Sequence, residues 1–560
     1  MQRILLGSLL WAAGLGGAQS QVIVVPDSPQ VGSANPVTAE PLVPRPPGKP
    51  CEVKLFSELA FANFNAKIFG YTPPAKCPGP WAKVVFTADF TVQAGNQFDR
   101  TAAFYLGHAN IYYGTTAEPG AKLSPSWHVE RDVTDLSSLL LTAQSGEADL
   151  GNFVGTSGGV LYNSIIYANA ALEFYPLQGG EAAPATPDLV VPLPDAAGGA
   201  ATLSSTASQL TQSVTLPRNT ERVFLDVIAQ SQSGDEFWYT CVPNDVSGEL
   251  QSCGNTAFRE TEVSIDGRAA GVAPVYPWIY TGGIDPFLWQ PITGVQTLDF
   301  KPYRVDLTPF AGLLADGKPH VFAISVYNAD NYFLATANLL VHTDHDTERV
   351  AGAVLRDTLG AAPTPVVKEK LTTDSSGNIS GTVSVSSTRT YEIAGYVETA
   401  RGRIETTLTS QVKFENLQHF SIGASKYVQN ITQSTSIDTD VARSDGWSTL
   451  TTRSKLSYPF ELGYAFVTNA NGSATQTTSV RQQYGLTAAA KVGSEVLSED
   501  TLDFDAAGNF TGNSAQVGSA RYVETDAQGH CYGRSLSAAA GILTAVQNGV
   551  DCHGSANTDP

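Results

Sequence analysis

Basic residues are scarce in this sequence: 33 Lys and Arg stand against 53 Asp and Glu, for a formal net charge of −20. A nucleic-acid partner requires a basic surface that displaces counterions from phosphates, so that class of function is excluded. Charge of either sign is sparse, at 15% of residues. With few basic groups, little positive self-repulsion accumulates as the carboxylates protonate, which points to work in a mildly acidic exterior; a sharp loss of folding below about pH 5 would contradict this. Amphipathic helical periodicity is nearly absent, which argues against helical folds. There is no Cys-x-x-Cys pair, so zinc and thioredoxin-type redox chemistry lack support. Beyond Leu15 no apolar run approaches the length of a membrane helix, so no membrane association is expected.

What is present begins with Met1-Gln2-Arg3, an apolar run from Ile4 to Leu15, and small residues through Ala18-Gln19-Ser20. This is the pattern of a secretory signal over residues 1–20, and the alternative is a buried N-terminal helix. The signal reading makes the mature protein secreted or periplasmic. The six cysteines Cys51, Cys77, Cys241, Cys253, Cys531 and Cys552 then favour disulfides. Six cysteines allow about fifteen pairings, and sequence alone does not choose among them; pairing of nearest neighbours is expected.

Residues 21–50 are proline-rich and read as an extended linker or pro-segment. From Cys51 onward the text becomes short alternating runs such as Trp81-Ala82-Lys83-Val84-Val85-Phe86, punctuated by Gly, Asn and Pro. The class expected is all-β. Two internal echoes sharpen the architecture. Asp132-Val133-Thr134 is matched by Asp306-Leu307-Thr308, each at the end of a strand pattern. Phe98-Asp99-Arg100 is matched by Phe258-Arg259-Glu260, each opening a strand pattern. Tandem related units fit two jelly-roll β-sandwich units, over residues 51–200 and 201–346, followed by a C-terminal antiparallel β domain over 347–560.

Candidate chemistry lies with carboxylates beside aromatics. Asp99 stands next to Arg100 at a strand start, Asp235 and Glu236 precede Phe237-Trp238-Tyr239, and Glu260 follows Arg259. If the units pack side by side, carboxylates from the two can meet and split their protonation, leaving one base and one proton donor. The bland reading of each is an ion pair or a strand-end charge. Trp278, Tyr280 and Trp289 lie among Gly282, Gly283, Pro286 and Pro291, so they are expected on a loop, offering flat faces to sugar rings; the alternative is core packing. Gly155-Thr156-Ser157-Gly158-Gly159 fits a nucleophile-elbow string, but strand-like residues follow it, so it reads as a glycine turn. His342-Thr343-Asp344-His345-Asp346 has metal-ligating residue types at an expected domain edge, where polar residues collect, and no metal is assigned. No cofactor is expected. Asn378, Asn430, Asn471 and Asn509 lie in glycosylation sequons.

As a set, Tyr71-Thr72-Pro73-Pro74, Phe98-Asp99-Arg100, Thr116-Ala117-Glu118-Pro119, Asp235-Glu236-Phe237-Trp238-Tyr239, Tyr280-Thr281-Gly282-Gly283 and Asn338-Leu339 resemble the acid-active, PNGase A-like peptide N-glycosidases. The likeness covers roughly half the chain. It implies a secreted amidase that cleaves between asparagine and the first N-acetylglucosamine of an N-glycan, releasing a glycosylamine and leaving aspartate. N-glycosylated peptides and proteins are the implied partners. A fainter likeness to the PNGase F type implies that Asp99 is the catalytic aspartate, beside Arg100, and that Glu118 is an active-site acid. That type's second glutamate falls opposite Asn255, so its role passes to Glu260 or Glu236. The expected catalytic set is Asp99, Glu260 and Glu236; the expected substrate-binding set is Arg100, Glu118, Asp235, Trp238, Arg259, Trp278, Tyr280 and Trp289. Arg259 or Arg100 is expected to stabilise the oxyanion. The alternative function is a lectin-like secreted module that binds glycans without cleaving them.

Overall fold

Period-two alternation in the sequence becomes strands in the computed structural model, which describes residues 29–512 and 515–552. The expected export signal over 1–20 lies outside the described residues. Among those described, no helix is long and apolar enough to cross a membrane. The described residues are almost wholly β-sheet, with two four-residue α-helices and a few 3-10 turns among them.

The first unit holds two four-stranded antiparallel sheets. One runs Cys51–Phe61, Ile166–Pro176, Trp81–Val92, Ser126–Asp132; the other runs Lys67–Tyr71, Gln144–Asp149, Thr101–Leu106, Ala109–Thr115. The second unit repeats the plan. Its first sheet runs Leu189–Leu193, Tyr332–Thr343, Thr220–Gln232, Tyr303–Asp306, with Ala201–Leu203 also on Tyr332–Thr343; its second runs Leu210–Val214, His320–Tyr327, Glu260–Ile265, Arg268–Pro274. Counted within each unit, with the small 155–162 hairpin and Ala201–Leu203 set aside, the orders coincide: one-eight-three-six and two-seven-four-five.

The Asp-x-Thr echo is the same joint built twice. The Thr134 N–H donates to Asp132 at 2.9 Å and the Thr308 N–H to Asp306 at 2.8 Å, each starting a single 3-10 turn. In each, the hydroxyl then accepts the N–H of the third strand, from Val84 at 3.0 Å and Val223 at 3.4 Å. A short polar side chain that bonds its own backbone two residues on ends a strand in this way. Leu189–Leu193, expected in the first unit, joins the second unit's sheet through Tyr332–Thr343. The described part of the proline-rich segment is docked rather than free: Val37 bridges Ile292, and Arg45 pairs with Glu130 and Glu173. Gly155–Ser157 and Val160–Tyr162 form a hairpin whose Gly158 and Gly159 have positive φ, so that glycine string is a turn.

Beyond residue 350 an 11-stranded antiparallel sheet is built mostly from consecutive hairpins, with strands as long as the 22 residues of Gly402–Gly423. Every second residue from Thr406 to Ile422 is buried, which sets one face inward. Leu408, Val412 and Phe414 on that face share one core with the second unit, while the first unit has its own. Burying each such side chain contributes roughly 1.5–3 kcal/mol. All three disulfides join nearest neighbours: Cys51–Cys77, Cys241–Cys253 and Cys531–Cys552.

Candidate active site

Asp99 is set two residues before the paired part of the Thr101–Leu106 strand, where the hairpin with Ala109–Thr115 opens. Two bonds hold the mouth of that hairpin: the Thr116 N–H donates to Arg100 O at 2.7 Å, and the Arg100 N–H donates to Thr116 Oγ1 at 3.1 Å. The next residues outward then face each other, and the Asp99 N–H donates to Glu118 Oε2 at 3.0 Å. The second unit supplies a third wall through the irregular segment 275–302. Thr281 Oγ1 donates to Thr116 O at 2.6 Å, and the Gly282 N–H donates to Asp99 Oδ2 at 3.0 Å. A Cβ at position 282 would collide with Glu118 Oε2 and stand 3.1 Å from Asp99 Cγ. Both carboxyl groups therefore converge on one backbone position, where only glycine allows the approach.

Burial, and next the neighbouring Asp99 charge, push the Glu118 carboxyl up to about 7 from 4.5; the Asp99 N–H and Arg100 oppose that shift. Burial brings the Arg100 guanidinium down to about 10, against the attraction of Asp99 and Glu118. Arg100 lies 3.7 Å over the Phe98 ring, and its Nη1 donates to Phe98 O and to Gln97 at 3.5 Å. Its Nε and Nη2 are buried with no hydrogen-bond partner among the described residues. Buried donors are nearly always satisfied, so an open guanidinium edge beside two carboxyl groups has the chemistry of a site awaiting an acceptor.

Glu236 reaches this region from the second unit. The turn Ser233–Asp235 points Asp235 inward, 1% exposed, onto Arg259 Nε and Nη2 at 3.2 and 3.0 Å and onto the N–H groups of Asp330 and Asn331. Glu236, the next residue, is left half-buried. The Tyr280 phenol is pushed well above its usual range, first by burial and then by Tyr113, Glu236 and Asp99, so the fields of Glu236 and Asp99 both reach it. Its hydroxyl donates to Ser231 O.

Several expected site residues are held elsewhere by the fold. Arg259 is held inward: Asp235 takes Nε and Nη2, and the carbonyls of Asn255, Thr256 and Phe258 take Nη1. Asp235 is accordingly engaged by Arg259 and by two backbone N–H groups. Glu260 is 2% exposed and bonded to Arg389 of the large sheet at 2.6 Å. Trp238, Trp278 and Trp289 do lie outside strands, but all are buried, because the large sheet covers that side of the second unit; Trp238 packs on Phe414. Tyr280 is likewise buried, with its hydroxyl engaged. Of the tryptophans, Trp289 lines a narrow groove beside Glu118, with Pro36, Ala117, Thr281 and Gln290. In the histidine string, His345 pairs with Asp188 at 2.8 Å. Burial and the Arg222 charge bring the His342 imidazole down to about 4. No cluster of metal-ligating side chains occurs among the described residues.

Sequence reasoning missed Gly282 as a donor, although its place in a Gly-Gly pair amid aromatics was a signal of close backbone approach. It also missed Gln290, which donates to Glu118 O at 3.1 Å and gives no signal of its own.

The model of the family "Peptide N-acetyl-beta-D-glucosaminyl asparaginase amidase A" matches residues 40–358, the stretch holding both units and every residue of this site. The peptide-N4-(N-acetyl-beta-glucosaminyl)asparagine amidase A of Prunus dulcis is 31% identical over 394 residues, covering 66% of this chain and 67% of that one. Among solved structures, PNGase F of Flavobacterium meningosepticum overlaps with a TM-score of 0.36 at 14% identity, covering 53% of this chain and 96% of that one. PNGF-II overlaps with a TM-score of 0.36 at 12% identity, over 53% and 66%. The chain belongs to the peptide N-acetyl-beta-D-glucosaminyl asparaginase amidase A family.

Proposed function

We propose that the family's amidase reaction is carried out where Asp99, Arg100, Glu118 and Gly282 meet, with Glu236 on the facing wall. The enzyme hydrolyses the amide between asparagine and the first N-acetylglucosamine of an N-glycan on glycoproteins or glycopeptides, releasing the glycosylamine and leaving aspartate. The observation that carries the site assignment is the convergence of Asp99 and Glu118 on Gly282.

Asp99 takes a proton from water as the water oxygen attacks the side-chain carbonyl carbon. The oxyanion that forms is met by the open Nε and Nη2 of Arg100. Glu118, raised to about 7, holds a proton below that pH and delivers it to the nitrogen as the C–N bond breaks. Glu236 faces the sugar. Activity accordingly extends through acid to neutral pH and falls above it.

The order one-eight-three-six and two-seven-four-five in each unit supports two tandem jelly rolls, over residues 51–176 and 189–346, with the C-terminal β domain beyond. Three disulfides support an oxidising, extracytoplasmic location. The test is the mass of a treated glycopeptide. Amide hydrolysis leaves aspartate and a peptide about one dalton heavier than its asparagine form; a glycosidase leaves a sugar on the peptide, and a lectin changes nothing. Asp99→Asn is expected to abolish the shift in a folded protein, and full retained activity would reject the site.

A further inference from the structure

The inner face of the large sheet carries amides where a sheet packed on a neighbour would be expected to carry aliphatic side chains. Asn416, Gln418, Gln429, Gln482 and Gln516 are all buried, and each reaches across to main chain of the second unit. Asn416 donates to Tyr239 O at 3.0 Å, Gln429 to Thr240 O at 3.1 Å and Gln418 to Cys241 O at 2.8 Å. These three carbonyls begin three residues after Glu236. Gln482 donates to Pro277 O at 2.6 Å and accepts the Val295 N–H at 3.1 Å; Gln516 donates to Leu288 O at 3.3 Å and to Gln290 O at 2.8 Å. These groups bracket Tyr280 and Gly282.

We infer that this set of amides, and Gln482 above all, positions the two segments that complete the active site; the inference rests on the site assignment proposed above. Segment 275–302 is largely irregular, so its buried main-chain groups have few ladder partners of their own, and leaving them unpaired is costly. An aliphatic side chain of similar volume would fill the space but satisfy neither group. Glutamine supplies a donor and an acceptor together, and Gln482 uses both to tie the segment at Pro277 and Val295, on either side of Gly282. The packing is close enough that a Cβ on Gly294 would stand 2.5 Å from Gln482 Oε1, and one on Gly508 would stand 3.1 Å from Leu288 O. All five amides lie beyond residue 358, outside the stretch matched by the family model. The C-terminal sheet is therefore part of how this chain holds its catalytic geometry. None of the five touches the reacting atoms, so they are positioning residues.

The experiment compares Gln482→Leu with Val412→Ala in the full chain; Val412 belongs to the same inner face but to the apolar core. Gln482→Leu is expected to lower kcat on a glycopeptide roughly 10- to 100-fold, the scale of a displacement of about 1 Å at a site. KM should change little, and the alkaline limb near pH 7 set by Glu118 should move. Val412→Ala is expected to lower the melting temperature at least as much while leaving kcat and the pH profile unchanged. Unchanged kcat and pH profile in Gln482→Leu, or equal kcat losses in both variants, would overturn the inference. If Gln482→Leu does not fold, Gln516→Leu at the sheet's margin is read by the same criteria. Asp99→Asn, run alongside, separates the two levels. If it is active, the site assignment fails; if it is inactive while the amide variants are unimpaired, only this inference fails.

Discussion

The strands opening at Thr101 and at Glu260 hold the same place in two sheets of the same order, yet their starts do opposite things. In the first unit the position gives Asp99 and Glu118 converging on Gly282, with an arginine edge left open. In the second, Arg259 is closed onto Asp235, and Glu260 onto Arg389. One fold thus carries the same residue types as a cluster with an unpaired guanidinium edge and as a sealed one. The difference is satisfaction. Where every donor meets an acceptor, charge becomes structure; where a donor and a proton are left over, charge is available to a substrate.

The largest expected effect probes the sealed end. Arg259→Ala leaves the buried Asp235 carboxylate without its partner, and unfolding measurements should show a loss of about 3–5 kcal/mol. A loss near zero would mean that the two strand starts do not differ in the way described. The next probes the open end. Gly282→Ala places a methyl group against Glu118, and kcat should fall on the order of 100-fold with the melting temperature changed far less, since small misplacements at a site act on rate.

Much of this comparison was legible in the sequence. Two echoes announced a repeated unit, because a strand end built on Asp-x-Thr needs only local residues. The mouth of the first hairpin was legible too, through Asp99, Arg100 and Glu118, which are close in the chain. What failed was decided at long range. Glu260 meets Arg389 129 residues later, and Trp238 packs on Phe414 of a sheet whose strands begin beyond residue 350. Alternation says that a residue has an inside; it does not say what will cover a loop. Arg259 was expected as an oxyanion donor, and the fold closes it onto Asp235, 24 residues earlier.

In the proposed reaction Glu118 holds the proton that the departing nitrogen receives, and the pH dependence of Glu118→Gln reads that role. A carboxyl raised from 4.5 to about 7 in the fold favours folding below its unfolded value and loses that advantage as pH climbs through about 7. Glu118→Gln should therefore stabilise the protein above pH 7, by an amount on the order of 1 kcal/mol for a half-buried group. On the same samples kcat/KM should be at least about 100-fold lower, with the alkaline limb near pH 7 abolished. A variant that keeps the wild-type rate and the same limb would show that a group other than Glu118 supplies the proton.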